Sequence, residues 1–271
     1  MMMKRILTAF ACAAMALTAA AGRTVILGGS LEAVRTALRA KASGKDVTVY
    51  APRPYLGEDR AGTYDLRRHA DDDPDDPLVR EIFNPAYGAA DAYSVRLGTK
   101  GWHACERIEP FANPTGVVAV SAAGLADVTT PFLVKRALDR ALLKADIKFV
   151  TGAVVTEVRQ GSVRLATRTG TVTVPADEVI DCRIRRPSAP GDYVYAWNVV
   201  RDRAHPRIET VETKVRLDAI TPRALAEAER QARDRLFAPD ILDFAPFPTI
   251  RPAGTAVAAK PVADGPAELS A

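Results

Sequence analysis

Residues 23–33 read Arg-Thr-Val-Ile-Leu-Gly-Gly-Ser-Leu-Glu-Ala, and this stretch decides the fold more than any other. Val25, Ile26 and Leu27 form a short apolar run of the kind that is buried on both faces of a parallel sheet. The glycines that follow allow a tight turn, and Leu31 begins an apolar pattern with helical spacing. The stretch therefore predicts a strand, a glycine turn and a helix in succession, which is how a βαβ unit begins.

The turn departs in part from the pattern of dinucleotide-binding units, G-x-G-x-x-G. Gly28 stands at the first glycine, Ser30 at the second and Ala33 at the third. The second glycine lets a diphosphate approach the backbone, and the third lets the helix pack against the sheet. Alanine is an accepted third residue, whereas Ser30 adds a Cβ and a hydroxyl where the phosphate would lie. The turn predicts a nucleotide-binding fold and leaves the binding of the nucleotide open.

The next residues complete the unit. Gly44 ends the predicted helix, and Asp46–Tyr50 has the composition of a second strand. In dinucleotide-binding folds an acidic residue ends this strand and holds the ribose hydroxyls. The residue at this position is Ala51, so the usual ribose contact is missing.

The first 21 residues have the pattern of an export signal. Lys4 and Arg5 precede an uncharged, alanine-rich apolar run over residues 6–20, and Ala19–Ala21 offers small residues for cleavage. The run is short and rich in alanine for a stable membrane span. We therefore expect a signal peptide at 1–21, a periplasmic or secreted protein, and no membrane span after cleavage.

Later segments follow the same signals. A threonine followed by a proline at the first helical position begins each of two predicted helices. Glycines divide an alternating apolar segment into the strands of an antiparallel β-meander. These segments are a helix from 131, a strand at 147–150, the meander over 154–174, a buried strand ending at 181 and a helix from 222. Beyond Pro246 the chain is rich in proline and alanine, which predicts a mostly disordered tail.

Two further motifs extend the comparison with nucleotide-binding units. Residues 47–58 read V-T-V-Y-A-P-R-P-Y-L-G-E. They are comparable to a strand followed by the motif E-R-R-x-x-x-L-G-G. Arg53 and Gly57 match this motif, and Glu58 replaces its last glycine. Residues 179–181 read V-I-D, like a strand that ends in I-D-A-T-G-D, but Cys182-Arg183-Ile184 follows.

These motifs, together with residues 135–158, resemble the FAD-dependent oxidoreductases that carry two dinucleotide-binding domains. The resemblance implies an α/β fold, with a Rossmann-like FAD/NAD(P)-binding domain over 22–200 that includes the small antiparallel β-meander. It also implies a partial substrate-type region with one helix over 201–246 and a disordered tail over 247–271. On this comparison the chain is a divergent member that is shorter at its C-terminus.

The same resemblance implies a set of contacts to FAD. The implied cofactor-binding residues are Gly28, Gly29, Ser30, Arg53, Gly57, Val154 (or Val155, at the adenine) and Asp181. No catalytic residue is nominated, because in flavoproteins the cofactor carries the chemistry. The small-molecule substrate or electron acceptor is left open.

Two functions follow from these observations. The first is redox transfer through bound FAD. The second is a non-catalytic pseudoenzyme that keeps the fold for a binding or structural role, because Ser30, Ala51, Glu58 and Arg183 all replace cofactor-contact residues.

Other classes are disfavoured. A formal net charge of +4 on 271 residues, without a basic stripe, argues against a nucleic-acid partner. The acidic run at 71–76 lacks the central glycine and closing glutamate of a calcium loop and predicts a solvated loop. His103 and Cys105 have no second pair nearby, so no metal site is expected. Cys105 and Cys182 could pair or remain free thiols.

Overall fold

The computed structural model describes residues 22–85, 96–97, 105–106, 124–126, 128–184, 186–201, 207–254 and 267–268. They form a mixed α/β fold with one parallel sheet and several antiparallel sheets, which confirms the predicted class. The chain divides into two compact units, Met1–Tyr55 with Ala141–Arg183 and Leu56–Arg140 with Ile184–Ala271. The predicted signal at 1–21 lies outside the described residues.

Four helices are described: α1 (Leu31–Ala42), α2 (Pro77–Ile82), α3 (Pro131–Lys144) and α4 (Pro222–Leu236). The described strands are β1 (Arg23–Leu27), β2 (Asp46–Ala51), β3 (Arg96–Leu97), β4 (Cys105–Glu106), β5 (Lys148–Thr151), β6 (Val154–Arg159), β7 (Ser162–Thr167), β8 (Gly170–Pro175), β9 (Glu178–Asp181), β10 (Gly191–Arg201), β11 (Arg207–Leu217), β12 (Ile241–Phe244), β13 (Thr249–Pro252) and β14 (Ala267–Glu268).

The first unit is built on a four-stranded parallel sheet with the strand order β5-β2-β1-β9. Leu27, the last residue of β1, lies opposite Tyr50 of β2 on one side and Asp181 of β9 on the other. All four strands run in the same direction, so their carboxyl ends share one edge of the sheet. Strand β9 is an edge strand, and its Val179 and Ile180 are therefore half-buried instead of buried as predicted.

A second layer covers one face of this sheet. Strands β6, β7 and β8 form the predicted antiparallel meander, and Val163 and Leu165 of β7 pack with Val25 and Leu27 of β1. Side chains alternate along a strand, so Ile26 faces the opposite side of the sheet. Helix α1 contacts β1 and β2 and contributes no side chain to the cluster with the meander. The first unit is thus a stack of helix, parallel sheet and meander.

Left-handed residues terminate helices in the first unit. After α1, Gly44 has φ +82°, and the Lys45 N–H donates to the Ala40 carbonyl at 3.2 Å. After α3, Asp146 has φ +52°, and the Ile147 N–H donates to the Leu142 carbonyl at 2.9 Å. Both ends have the Schellman pattern, in which glycine usually takes the left-handed position.

The exception at Asp146 leads to a stability prediction. Asp146→Gly is expected to raise the free energy of unfolding by about 0.5–1 kcal/mol, because glycine takes positive φ without the Cβ penalty. Asp146→Ala keeps a Cβ and is the matched control, with no gain expected. Urea unfolding of the three proteins measures the difference, and equal gains from both substitutions would contradict the prediction.

The second unit contains an antiparallel sheet in the order β12-β10-β11-β14, with β13 also paired to β10. Tyr195 and Trp197 of β10 are fully buried, and their rings stack at 6.2 Å between centroids. Helix α4 packs Ala228 and Ala232 into the same cluster. Small residues on the helix leave room for the large aromatic side chains on the sheet.

This sheet corrects the predicted organisation after residue 200. The segment 201–246 was expected to hold one helix, but β11 and β12 lie there as well. The predicted disordered tail from 247 is wrong at Thr249–Pro252, which forms β13 and pairs with β10. These strands pair with strands that are distant in the sequence, so local composition could not predict them.

The acidic run at 71–76 is also less exposed than predicted. Asp72 is buried, and both of its carboxylate oxygens accept from Arg60 Nη2, at 2.6 and 2.8 Å. The His69 backbone N–H donates to the same carboxylate at 2.7 Å. Asp76 caps helix α2 by accepting from the Leu78 N–H at 2.8 Å. Two of the five aspartates in this run therefore hold the local structure together.

None of the helices in the described residues is long and apolar enough to cross a membrane.

Candidate functional site

The glycine turn lies at the carboxyl edge of the parallel sheet, between β1 and α1. Gly28 has φ +125°, and its N–H donates to the Tyr50 carbonyl at 2.9 Å. A Cβ added to Gly28 would lie 2.6 Å from the Cys182 carbonyl oxygen. Glycine is therefore required at this position by both the backbone conformation and the close approach of the chain after β9.

Ser30 is the N-cap of helix α1. Its Oγ accepts from the Ala33 N–H at 3.1 Å and makes a long contact, 3.4 Å, to the Cys182 carbonyl oxygen. An N-terminal cap of this kind satisfies one of the helix's free N–H groups. The remaining helix dipole still presents partial positive charge at this end, where an anion is stabilised. The N-terminus of α1 thus keeps its partial positive charge, while Ser30 already accepts from one of its N–H groups.

Strand β2 ends at Ala51, the position at which a ribose-binding acidic residue was expected. Ala51 is fully buried, and its carbonyl accepts from the Ala153 N–H at 2.9 Å. The Arg53 carbonyl accepts from the Gly152 N–H at 2.8 Å, which ties the loop after β2 to the loop after β5. An alanine side chain at this position offers no oxygen to a sugar hydroxyl.

The other predicted contact residues have different environments. Val154 begins β6 and is 51% exposed, whereas Val155 packs against the cluster between sheet and meander. Gly57 belongs to the second unit and has φ +81°. A Cβ on Gly57 would lie 2.6 Å from Val134 Cγ1, so this glycine is explained by the packing of helix α3. Glu58, beside it, is buried.

Asp181 ends β9, and its carboxylate is bound by Arg183. Arg183 Nε donates to Asp181 Oδ1 at 2.8 Å, and Arg183 Nη2 donates to Oδ2 at 2.6 Å. These hydrogen bonds from the guanidinium hold the pKa of Asp181 below its ordinary value. A Cβ on Gly28 would also lie 3.0 Å from the Arg183 backbone nitrogen. The backbone of Arg183 therefore adjoins the glycine turn, while its guanidinium is bound by Asp181.

Cys182 lies between these two charged residues. Burial raises the pKa of its thiol, against a smaller opposing effect of a hydrogen bond with the Thr36 side chain. The thiol is free and partly buried. The side chain of Cys105 is outside the described part of the chain, so the predicted alternatives for this pair stay open. Within the described residues, no group of three or more histidine, cysteine, aspartate or glutamate side chains is arranged to hold a metal ion.

The structure thus brings together five of the residues predicted for the site or adjacent to it: Gly28, Gly29, Ser30, Asp181 and Cys182. Arg183 is the residue whose role the sequence analysis missed, because it was noted only as a substitution. The signal was present, since an arginine two residues after an aspartate at a strand end can fold back onto that aspartate.

Comparisons with known proteins give only distant similarities. A scan against models of protein families gives no match, and a search of curated proteins also gives none. Among solved structures, OxyS anhydrotetracycline hydroxylase from Streptomyces rimosus has 13% identity and a TM-score of 0.43, over 84% of this chain and 52% of its own. CabE, an aromatic hydroxylase from angucycline biosynthesis, has 12% identity and a TM-score of 0.42, over 86% and 52%.

Bacillithiol disulfide reductase Bdr from Bacillus cereus has 12% identity and a TM-score of 0.29, over 69% of this chain and 36% of its own. This chain therefore spans about half the length, or less, of these proteins. We draw no conclusion about fold or activity from similarities this distant.

Proposed function

We propose that this protein is of the FAD-dependent oxidoreductase type and binds FAD in a Rossmann-like unit. The observation that carries the proposal is the glycine turn, which leads from β1 into α1 at the carboxyl edge of the parallel sheet. In open α/β sheets this edge is where ligands bind, and the helix that follows the first strand receives the diphosphate.

The residues at the turn suit the diphosphate part of FAD. The N-terminus of α1 favours negative charge, and Ser30 is small. Gly29 and Ser30 would hold the diphosphate, and Arg53 would be a further contact to the cofactor. The ribose gains no carboxylate from β2, because Ala51 ends that strand.

When bound, FAD would supply the redox chemistry, while the protein supplies binding and orientation. The roles of this chain's own residues are correspondingly simple. The backbone conformation of Gly28 keeps β1 and β9 close together, and Ser30 fixes the first turn of α1. Substrate, electron acceptor and catalytic residues are not assigned by these contacts.

A second function is favoured by the hydrogen bonds of Ser30. The Ser30 Oγ already caps the Ala33 N–H and lies beside the Cys182 carbonyl, so it fills part of the phosphate position. A non-catalytic protein that keeps the fold but binds FAD poorly would have this arrangement. Export, which is proposed on residues 1–21 alone, would require either protein to acquire its ligand outside the cytoplasm.

Ser30→Gly tests both functions in one titration. The substitution removes the oxygen that occupies the Ala33 N–H, at a cost to the helix of only a few tenths of a kcal/mol. The Ala33 N–H is then free to donate to a charged phosphate. This added hydrogen bond is expected to lower the Kd for FAD by about tenfold, or about 1.4 kcal/mol. Flavin fluorescence quenching measures the Kd of both proteins.

Ser43→Gly is the matched control, because Ser43 caps the other end of the same helix. Its Kd for FAD is expected to equal that of the wild type. Measurable FAD binding by the wild type and tighter binding by Ser30→Gly support the flavoprotein. Binding by Ser30→Gly alone supports the pseudoenzyme, and no binding by either protein contradicts an FAD site at this turn.

A further inference from the structure

Strand β8 is an edge of the meander and carries no charged side chain. Within the described residues it pairs with β7 alone, and its Val172 is 42% exposed. Charged residues and bulges are the usual features that keep edge strands from pairing with other chains. Strand β6, at the opposite edge of the meander, has both: Glu157, Arg159 and a bulge after Val155. Strand β8 has neither.

The backbone of β8 directs donors and acceptors away from the meander. The turn before it has two residues, so the strand begins at Gly170 with a hydrogen-bonded pair to β7. Hydrogen-bonded and non-hydrogen-bonded pairs alternate from there, and Val172 is hydrogen-bonded to Leu165. The N–H and C=O groups of Thr171 and Thr173 therefore point outward. None of these groups is hydrogen-bonded to another described residue.

We propose that two copies of this chain pair antiparallel along β8 and join their meanders into one continuous sheet. The two-fold axis passes through Val172, so that Thr171 of one copy lies opposite Thr173 of the other. Each of these threonine pairs exchanges both of its N–H···O bonds, as in any antiparallel ladder. In the same register Val174 lies opposite Gly170, which has no side chain to obstruct it.

The distribution of charge favours a second copy as the partner. A two-fold axis brings the beginning of one β8 beside the end of the other. Arg168 lies before the strand and Asp177 after it, and both are exposed, so opposite charges face each other at each end. Pro175 has no N–H and therefore ends the ladder. The contact is one strand from each copy, which predicts a weak dimer with a Kd on the order of 100 μM.

Val172→Lys tests the interface, because it places two like charges side by side on the axis. Val158→Lys is the matched control. Val158 pairs with Val163 and so faces the same side of the meander as Val172, but it lies on the other edge and is 48% exposed. Sedimentation velocity of the full chain, over a range of concentrations, would measure the Kd of all three proteins. We expect a rise of about tenfold or more in Val172→Lys and no change in Val158→Lys.

Cysteine variants test the register, whatever the stability of the lysine variants. Val172→Cys should cross-link to a second copy under mild oxidation, because residues in a non-hydrogen-bonded pair have Cα atoms about 4.5 Å apart. Thr171→Cys is the control and should cross-link no more than the wild type, since residue 171 lies opposite residue 173.

A wild type that stays monomeric at several hundred micromolar, or about five times the expected Kd, would overturn the proposal. Equal effects of the two lysine substitutions would also overturn it, because the association would then lie elsewhere. So would growth into larger oligomers, since two-fold pairing along β8 closes at the dimer. None of these measurements involves FAD, so their outcome is independent of the proposed function.

Discussion

Arg60→Met is expected to lower the free energy of unfolding by about 3–5 kcal/mol, because it leaves a buried carboxylate without its counter-ion. The Asp72 side chain is only 4% exposed and that of Arg60 10%. Arg60 also donates from Nη1 to the Arg67 carbonyl at 2.9 Å. Methionine preserves much of the side-chain volume but replaces none of these hydrogen bonds, and Asp72 would keep the hydrogen bond from the His69 N–H.

Arg80→Met is the matched control for this prediction. Arg80 binds Asp75 at 2.8 Å, but the two side chains are 57% and 85% exposed. Such a pair contributes about 0–1 kcal/mol, so its loss should be small. Arg60→Met combined with Asp72→Leu should recover much of the stability, since both charges are then removed. Urea unfolding measures all three variants, and equal losses from Arg60→Met and Arg80→Met would contradict the buried ion pair.

Gly28→Ala is the second substitution with a large expected effect, a loss of about 3 kcal/mol or more. A φ of +125° is almost exclusive to glycine, and adopting it costs other residues about 1–3 kcal/mol. The added Cβ would also meet the Cys182 carbonyl oxygen at 2.6 Å, which is backbone and cannot turn aside. Strands β1 and β9 would have to separate at the edge that carries the proposed site.

Gly44→Ala separates the two contributions. Gly44 also has a positive φ, +82°, but no atom of the described residues lies within 4 Å of an added Cβ. The stability loss of Gly44→Ala should be the conformational penalty alone, about 1–2 kcal/mol. Thermal unfolding of both variants measures the difference. A Gly28→Ala protein as stable as Gly44→Ala would contradict the close packing of the turn against the residues after β9.

The first βαβ unit and the meander could be predicted from sequence because their signals are local. Apolar runs, glycines at turns and helical spacing identified β1, α1, β2 and the strands of the meander within a few residues. The Gly28 turn followed from the same signals. Ser30 was expected near a phosphate, and its role as the cap of α1 is the common role of a serine at the start of a helix.

The rest depends on contacts between distant residues. The pairing of β13 with β10 joins Ile250 to Tyr195, and no local pattern reports a partner so far away in sequence. The burial of Asp72 depends on Arg60, which lies outside the acidic run. The sequence showed Arg183 as a departure from a motif. Its ion pair with Asp181 could not be predicted, because it depends on the path of the backbone after β9.

The central claim is that the turn at Gly28–Ser30 holds the diphosphate of FAD. The most direct measurement is the amount of flavin that stays with the wild-type protein after incubation with excess FAD and gel filtration. We predict visible flavin absorbance in the protein peak, close to one FAD per chain, and a higher melting temperature with FAD than without. A colourless protein whose melting temperature does not change with FAD would contradict the account.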